Sequence, residues 1–140
     1  MRDRDGFLNV TYLRGYIEDV PLPDTCADAV ISNGVINLAT NKSKVFREAT
    51  RLLRKGGRFA IADIVTEVQL PDSIVCNAML WAACIGGAAQ RDNYCQMIGA
   101  AGLRVVQVED NPQYQFISDN AKGASRKFGV KSISLLAVKQ

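Results

Sequence analysis

The stretch that decides the fold runs from Ala29 to Asp63 and reads AVISNGVINLATNKSKVFREATRLLRKGGRFAIAD. Its first part, Ala29–Asn33, is a nearly continuous apolar run that ends in small polar residues. This is typical of a strand covered on both faces that opens onto a site at its carboxyl end. Gly57–Asp63 has the same character and ends in an acid. With a helix between them, the two strands predict a parallel pair joined by a right-handed crossover.

The helix is predicted over Lys42–Arg54. Its apolar residues recur at i, i+1, i+4, i+7 and i+8, which makes one stripe that must pack on a sheet; they are Val45, Phe46, Ala49, Leu52 and Leu53. Asn41 is placed to cap the start, and Gly56 to end the helix in a left-handed conformation.

The flanking sequence continues the alternation of strands and helices. Asn9–Leu13 is a short β-rich run followed by a loop that contains proline and aspartate. Ile74–Ile85 is too hydrophobic for a surface helix, and it ends at a pair of glycines. Asp92 is predicted to cap a shorter helix that Gly102 stops.

The last third of the chain predicts two strands and one more polar element. Val105–Val108 and Ser132–Val138 have strand character, and Asp119–Phe128 is a polar helix or turn. The two strands lie close enough in sequence to pair antiparallel.

Composition indicates one soluble domain, since 140 residues with 48% hydrophobic and 22% charged residues bury roughly two thirds of their unfolded surface. Seventeen basic and 14 acidic residues give a net charge of +3. The basic residues are spread over several elements, which argues against a nucleic-acid partner. No apolar run approaches the roughly 20 residues that span a bilayer. We therefore expect no membrane partner and a cytoplasmic location.

The chain has four cysteines, no C-x-x-C pair and no histidine. A histidine general base is excluded, and a zinc site would need thiolates and carboxylates alone. We predict no metal site. Cys26, Cys76 and Cys95 are expected to be small, reduced, buried residues.

Several segments together resemble a known family. Gly15–Asp24 (GYIEDVPLPD), the strand that ends at Asn33, and Leu52–Phe59 (LLRKGGRF) resemble, in order and spacing, the second half of class I S-adenosylmethionine-dependent methyltransferases. Ser32–Leu38 (SNGVINL) and Trp81–Ala88 (WAACIGGA) resemble the arsenite methyltransferase branch in particular. The resemblance implies a truncated Rossmann-like α/β sheet, mostly parallel with an antiparallel C-terminal strand and with helices on both faces.

The resemblance also implies the cofactor, S-adenosylmethionine, and where its adenine lies. The segment Tyr16, Ile17 and Glu18 borders the adenine in the family, where a backbone N–H donates to a ring nitrogen and a carboxylate accepts from the exocyclic amine. Glu18 is the expected acceptor. The alternative is that Glu18 is a solvated loop acid.

At the end of the central strand, Ser32, Asn33 and Gly34 line the methionine portion of the cofactor by the same resemblance. For Asn33 a turn-forming role is an equal alternative, because Asn before Gly is a common turn pair.

Cys84 matches a cysteine that in arsenite methyltransferases binds trivalent arsenic, a soft centre that prefers thiolate sulfur. It is the candidate substrate thiol, and a core cysteine is the alternative. A second family thiol falls where this chain has Gly34, and the others lie upstream. Because one thiolate cannot enclose the metalloid, arsenite methylation is not expected. Asp63 is either catalytic or a helix-capping acid.

The glycine-rich cofactor loop of such folds has no counterpart here, because only thirteen or so residues precede Gly15 and Met1–Gly6 is a charged, irregular start. Hydrogen bonds to charged groups contribute about 1.5 to 3 kcal/mol each, so losing two or three weakens binding by roughly a hundredfold or more. We expect weak or no activity from the chain alone. The alternatives are a non-catalytic interaction or small-ligand module that keeps the scaffold, and an upstream half encoded elsewhere.

The family's sheet places two strands between those matching the runs at Val10–Leu13 and Ala29–Asn33. Without them, the first strand must re-pair with the second, or another chain must cover the edge. We hypothesise a homodimer through this edge or through Ile74–Ile85, or else a complementing chain. The remaining partner would be a small-molecule methyl acceptor.

Overall fold

A computed structural model describes residues 8–117 and 119–140. The predicted irregular start at Met1–Gly6 lies outside the described residues. In chain order the strands are β1 (Ala27–Asn33), β2 (Leu53–Thr66), β3 (Ala89–Gln90), β4 (Leu103–Asp110) and β5 (Lys131–Lys139). The helices are α1 (Lys42–Leu52), α2 (Asp72–Val75), α3 (Ala78–Ala82), α4 (Arg91–Ala100) and α5 (Asp119–Phe128), with a 3₁₀ turn at Ile36–Leu38. Among the described residues, no helix is both long enough and apolar enough to span a membrane.

The strands form an open mixed sheet in the order β1-β2-β5-β4, with β3 paired to the carboxyl end of β2. β2 is parallel to β1 and β3, whereas β5 is antiparallel to β2 and β4. The predicted α/β class, the parallel β1-α1-β2 unit and the antiparallel C-terminal pair are confirmed.

The helix α1 follows its sequence pattern closely. The side chain of Asn41 accepts a hydrogen bond from the N–H of Lys44 at 3.0 Å, and this caps the helix as predicted. The helix ends at Leu52 rather than Arg54, because the chain already enters β2 at Leu53. Gly56 is left-handed, at φ 77°, but it lies inside β2 beside a register shift opposite Ala27 and Ala29. The left-handed conformation of Gly56 was therefore predicted correctly, whereas the prediction that Gly56 ends the helix was wrong.

Two apolar clusters pack on opposite faces of the sheet. Phe59, Ile61 and Val65 of β2 face α1 and α4 in the first cluster. Ile64, whose side chain points the other way in a strand, lies in the second cluster with Ala124 of α5. Helices thus lie on both faces, as predicted, but the second face is covered only at the carboxyl end of β2.

The predicted strand at Asn9–Leu13 is wrong. Residues 10–15 have no strand partner, and the side chains of Tyr12 and Leu13 are 70% and 51% exposed. A β-rich pattern does not form a strand without a neighbouring strand to take its backbone hydrogen bonds. The expected re-pairing with β1 is therefore also wrong within the described residues.

The apolar run of β1 predicts a strand that is covered on both faces, and this prediction is wrong within the described residues. Ile31, at the middle of the strand, is 79% exposed. The run of apolar residues indicated a strand correctly. On β1 itself, however, no described residue covers the side of the strand on which Ile31 lies.

Two local predictions need correction. The cap of α4 is Gln90, whose side chain accepts from the N–H of Asn93 at 3.1 Å, and Asp92 lies in the first turn. The Ile74–Ile85 segment divides at Asn77 into α2 and α3, since the Asn77 side chain accepts from the N–H groups of Met79 and Leu80. It is only partly buried, because Met79 is 74% exposed.

Glu48 ties the irregular segment before β1 to α1. Its carboxylate accepts from the N–H of Val20 at 2.7 Å and from two nitrogens of Arg51 at 2.7 and 2.9 Å. Arg51 also pairs with Asp24 at 2.6 Å. The hydrogen bond from Arg51 is the main cause that lowers the pKa of Glu48.

We predict that Glu48→Gln lowers the free energy of unfolding by about 1 to 3 kcal/mol at pH 7, because it removes a nearly buried charged acceptor. A lowered pKa means that this stabilisation is present above the ordinary value of 4.5 and is lost as the pH falls through the lowered pKa. The difference between the two proteins should therefore shrink on acidification. Urea unfolding across this pH range measures it.

The matched control is Asp28→Asn. Asp28 pairs with Arg54 at 2.8 Å, but the two side chains are 82% and 56% exposed. An exposed pair contributes less than about 1 kcal/mol. Equal losses for both variants would contradict an anchoring role for Glu48.

Candidate functional site

A cavity of about 250 Å³ lies between the segment before β1, the strand itself and α1. Its walls are mostly apolar, and its lining includes Ile17, Val20, Val30, Ser32, Asn33, Val35, Ile36, Val45, Glu48 and Phe59. It borders β1, which is an edge strand of the sheet. A concave apolar site with a few polar groups is the usual form of a small-ligand site.

A tight turn carries Ile17 into this cavity. The N–H of Asp19 donates to the carbonyl of Tyr16 at 3.1 Å and closes the turn. Ile17 is half-buried against the first apolar cluster, whereas Tyr16 is 80% exposed. The bond from Val20 to Glu48 holds the exit of the turn on α1.

The structure brings together half of the residues predicted to hold the cofactor. Ile17, Ser32 and Asn33 share the cavity lining, although they come from two separate segments. Tyr16, Glu18 and Gly34 do not line it.

Gly34 has a structural task beside the cavity. It adopts a left-handed φ of 65°, and its N–H donates to the carbonyl of Ala62 at 2.8 Å. It thus turns the chain out of β1 at the carboxyl edge of the sheet.

These residues fit one end of S-adenosylmethionine and not the whole molecule. Pockets for drug-sized ligands measure about 300 to 1,000 Å³, so a cavity of about 250 Å³ suits a flat apolar group such as a purine. The carboxylate in the lining is that of Glu48, and its oxygens already accept from Val20 and Arg51. The described lining offers no free acid for the ribose hydroxyls.

A buried polar network closes the carboxyl end of β2. Asp63 is 2% exposed, and its carboxylate accepts from the N–H of Asn37 at 3.0 Å, the hydroxyl of Tyr94 at 3.1 Å and the N–H of Ile64 at 2.8 Å. Burial raises the pKa of Asp63, and these hydrogen bonds oppose the shift. Burial, followed by the charge of Asp63, raises the pKa of Tyr94 well above its usual range. These contacts hold the 3₁₀ turn and α4 at the end of β2: the Asp63 side chain accepts from an N–H of the 3₁₀ turn, and it caps no α-helix among the described residues.

Lys42, at the start of α1, extends the network. Its ammonium donates to the carbonyls of Asn37 and Ala39 at 3.1 and 2.9 Å, and it lies 5.9 Å from the ring centroid of Trp81. Burial lowers the pKa of Lys42, and the charge of Asp63 opposes this. The 3₁₀ turn is therefore held at two kinds of group: Lys42 binds its carbonyls, and Asp63 binds the N–H of Asn37.

Asn37 connects this network to Cys84. Its side-chain amide donates to the backbone carbonyl of Cys84 at 2.7 Å, and Cys84 has a left-handed φ of 62°. Cys84 also lines a cavity of about 390 Å³. Tyr114 and Phe116 lie in the same lining, with ring centroids 5.2 Å apart in an edge-to-face arrangement.

The other cysteines do not join Cys84. Cys26 and Cys95 are half-buried and Cys76 is exposed, so the prediction of burial is wrong for Cys76. Burial raises the pKa of Cys95. Over residues 8–117 and 119–140, no three histidine, cysteine or acidic side chains converge to hold a metal ion.

Comparison with known proteins shows the family of this chain. A family model described as a methyltransferase domain matches residues 1–102. The chain belongs to this methyltransferase family. It is 37% identical to an arsenite methyltransferase of Halobacterium salinarum over 112 residues, covering 79% of this chain and 29% of that protein. The human arsenite methyltransferase is 41% identical over 83 residues, 57% of this chain and 22% of that protein.

Solved structures confirm the fold of the class I S-adenosylmethionine-dependent methyltransferases. An arsenic (III) S-adenosylmethionine methyltransferase from Chlamydomonas reinhardtii superposes with a TM-score of 0.73 at 28% identity, over 98% of this chain and 46% of that one. A putative sarcosine dimethylglycine methyltransferase from Galdieria sulphuraria gives 0.79 at 18% identity, over 99% of this chain and 63% of that one. The resemblance to arsenite methyltransferases is confirmed, and this chain spans a third or less of the length of those it matches.

Sequence reasoning missed Asn37, Lys42 and Tyr94 as parts of the site. Asn37 carried a signal, since a single amide inside the apolar run GVINLA must find partners if it is buried. Tyr94 and Lys42 carried none, because both fit the pattern of an ordinary helix.

We predict that Gly87→Ala destabilises the fold by about 1 to 3 kcal/mol or more. A Cβ at Gly87 would lie 2.0 Å from the carbonyl oxygen of Asn37 and 2.7 Å from the Trp81 ring, so the turn after Cys84 must move. Gly99→Ala is the control, because Gly99 lies in α4 with nothing within 4 Å of the added Cβ. That change should stabilise by about 0.5 to 1 kcal/mol. Chemical unfolding of both variants measures the contrast, and a harmless Gly87→Ala would contradict the tight packing of this turn.

Proposed function

We propose that this chain binds the adenosine end of S-adenosylmethionine in the cavity beside β1, and that it transfers a methyl group weakly or not at all by itself. The proposal rests on the juxtaposition of Ile17 with Ser32 and Asn33 around one apolar cavity. Family membership supplies the identity of the cofactor, whose chemistry when bound is donation of a methyl group from a sulfonium. We propose a cytoplasmic location, as expected for reduced cysteines.

The chain's own residues supply binding and positioning. Ile17 and Val30 provide apolar walls for a flat ring, and Ser32 and Asn33 present polar groups where β1 ends. The hydrogen bond from the N–H of Val20 to Glu48 holds the turn that carries Ile17, so this wall of the cavity is fixed before a ligand binds. Preorganisation of this kind reduces the entropy that binding costs.

The methyl acceptor is proposed as a small molecule other than inorganic arsenite. The relatives named above are arsenite methyltransferases, and Cys84 stands beside an aromatic-lined cavity that could hold an acceptor. Trivalent arsenic prefers thiolate ligands. The described residues place no second thiol in the lining of the cavity that Cys84 borders.

A second candidate function is a non-catalytic module that keeps the scaffold. The observation that favours it is the engagement of Glu48 with Arg51, which leaves the described cavity without an acid for the ribose. The two candidates differ in one measurable property, which is affinity for the cofactor.

The binding test titrates the chain with S-adenosylhomocysteine while amide shifts are followed by NMR. We expect shifts that cluster at Ile17, Ser32 and Asn33 and a dissociation constant on the order of hundreds of micromolar, since contacts to the ribose are missing. No shift at about ten times that concentration favours the non-catalytic module.

Ile17→Asp should weaken this binding by roughly tenfold or more, because it replaces an apolar wall with a charge. Val68→Asp is the matched control, since Val68 is 51% exposed and lies outside the cavity lining. Equal losses of affinity in both variants would show that the ligand binds elsewhere.

The acceptor is tested by incubating the chain with S-adenosylmethionine, arsenite and a thiol reductant and measuring methylated arsenic by chromatography and mass spectrometry. We expect none above the protein-free control. Methylated arsenic that disappears in Cys84→Ser would overturn this expectation and make Cys84 a catalytic residue.

A further inference from the structure

One face of the sheet is left uncovered by the described residues except at the carboxyl end of β2, where the second cluster packs. Strand register arranges its side chains in three rows across β1, β2, β5 and β4. The first row is Ala29, Arg58, Val138 and Arg104, the middle row is Ile31, Ala60, Leu136 and Gln107, and the third row is Asn33, Ala62, Ser134 and Glu109. We call these twelve residues the open face.

The centre of the open face is apolar and concave. All residues of its middle and third rows line a shallow trough of about 470 Å³. Ile31 and Leu136 flank the small side chains of Ala60 and Ala62, and Ile31 is 79% exposed. Exposed apolar patches rimmed by polar residues mark interaction sites. The trough is an interaction surface by this criterion.

The open face has opposite charges at its two ends. Arg58 and Arg104 lie in the first row and Glu109 lies in the third. Within the described part of the chain none of the three takes part in an ion pair. The first and third rows lie roughly 13 Å apart along the strands, at about 3.3 Å per residue.

We propose that a second copy of this chain packs its open face on the first, with its strands antiparallel to those of the first copy. The two copies are related by a two-fold axis that runs perpendicular to the strands, in the plane between the sheets, at the level of the middle row. Each strand then lies over the same strand of the other copy, and the first row of one copy lies over the third row of the other. Arg104 of each copy then faces Glu109 of the other, and in the middle row Ile31 lies over Ile31 and Leu136 over Leu136 of the other copy.

The charges select this arrangement over its rival. A two-fold axis along the strands would set the first row over itself and bring four arginines together, which is unfavourable. Sheets packed face to face lie about 10 Å apart, a distance that side chains such as Ile31 and Leu136 fill.

This interface replaces the two predicted from the sequence. In the Ile74–Ile85 segment, Leu80 and Ile85 are buried in the second cluster and are not free to contact a second copy. The free edge of β1 offers seven residues, whereas the open face offers a surface of roughly 20 by 19 Å from the strand spacings. That area is below the roughly 800 Å² per partner of a typical stable interface, so the dimer should dissociate in the micromolar range.

Sedimentation velocity on the wild-type chain and three variants tests the proposal. Arg104→Glu and Glu109→Arg should each weaken the dimer by about tenfold or more, because each places two like-charged pairs at the interface. The double variant exchanges the charges and should restore dimerisation. Both side chains are exposed, so the monomer fold should be unaffected, which circular dichroism checks.

The matched control is Arg47→Glu, which makes the same change of net charge at an exposed position on α1. Ile31→Ala, in the middle row of the open face, removes apolar area without adding a charge, so it should also weaken the dimer and serves as a charge-independent arm. A wild-type chain that stays monomeric at about 100 µM, well above the expected dissociation constant, overturns the proposal. So does a dimer that the open-face variants leave unchanged, since the contact would then lie at the β1 edge or elsewhere. The assay needs no cofactor, so its outcome is independent of the proposed function.

Discussion

The acceptor capacity of one buried carboxylate holds the carboxyl end of this sheet together. Asp63 lies near the carboxyl end of β2. Its carboxylate accepts hydrogen bonds from the N–H of Asn37, the hydroxyl of Tyr94 and the N–H of Ile64. An ionised carboxylate accepts on both oxygens and donates nothing, so it can join three elements that each bring a donor. An apolar residue at this position would leave a buried N–H and a buried hydroxyl without partners, at about 1 to 3 kcal/mol each.

The same network decides where Cys84 lies. Asn37, fixed on one side by Asp63, holds the carbonyl of Cys84 on the other side. The glycines after Cys84 allow the chain to approach this closely, because Gly86 and Gly87 lie against Trp81 and the carbonyl of Asn37. A thiol beside an aromatic-lined cavity is therefore positioned by contacts that begin at the end of β2. Its place does not depend on loop composition alone.

The sequence predicted the elements whose pattern is local and failed where a distant partner decides. The apolar stripe of α1 and the paired C-terminal strands could be predicted, because periodicity and length determine them. Asn9–Leu13 has strand character, but a strand needs a neighbour, and no local pattern shows whether one is present. For the candidate site, the segment motifs identified Ile17, Ser32 and Asn33. They could not place Glu18, which does not line the cavity, nor reveal that Glu48 is occupied by Arg51.

The two faces of the sheet carry side chains of different size. The large side chains of β2, such as Phe59 and Ile61, point to the face that α1 and α4 cover, where they are 1% and 3% exposed. On the open face β2 carries Ala60 and Ala62, whose small area costs little in water at about 25 cal/mol per Å². Among the described residues the larger part of the core thus lies on the face that α1 and α4 cover, and the open face carries the proposed contact, which the packing of that core does not require. A contact of this kind can form and dissociate without unfolding the chain, whereas covering the large face is part of folding itself.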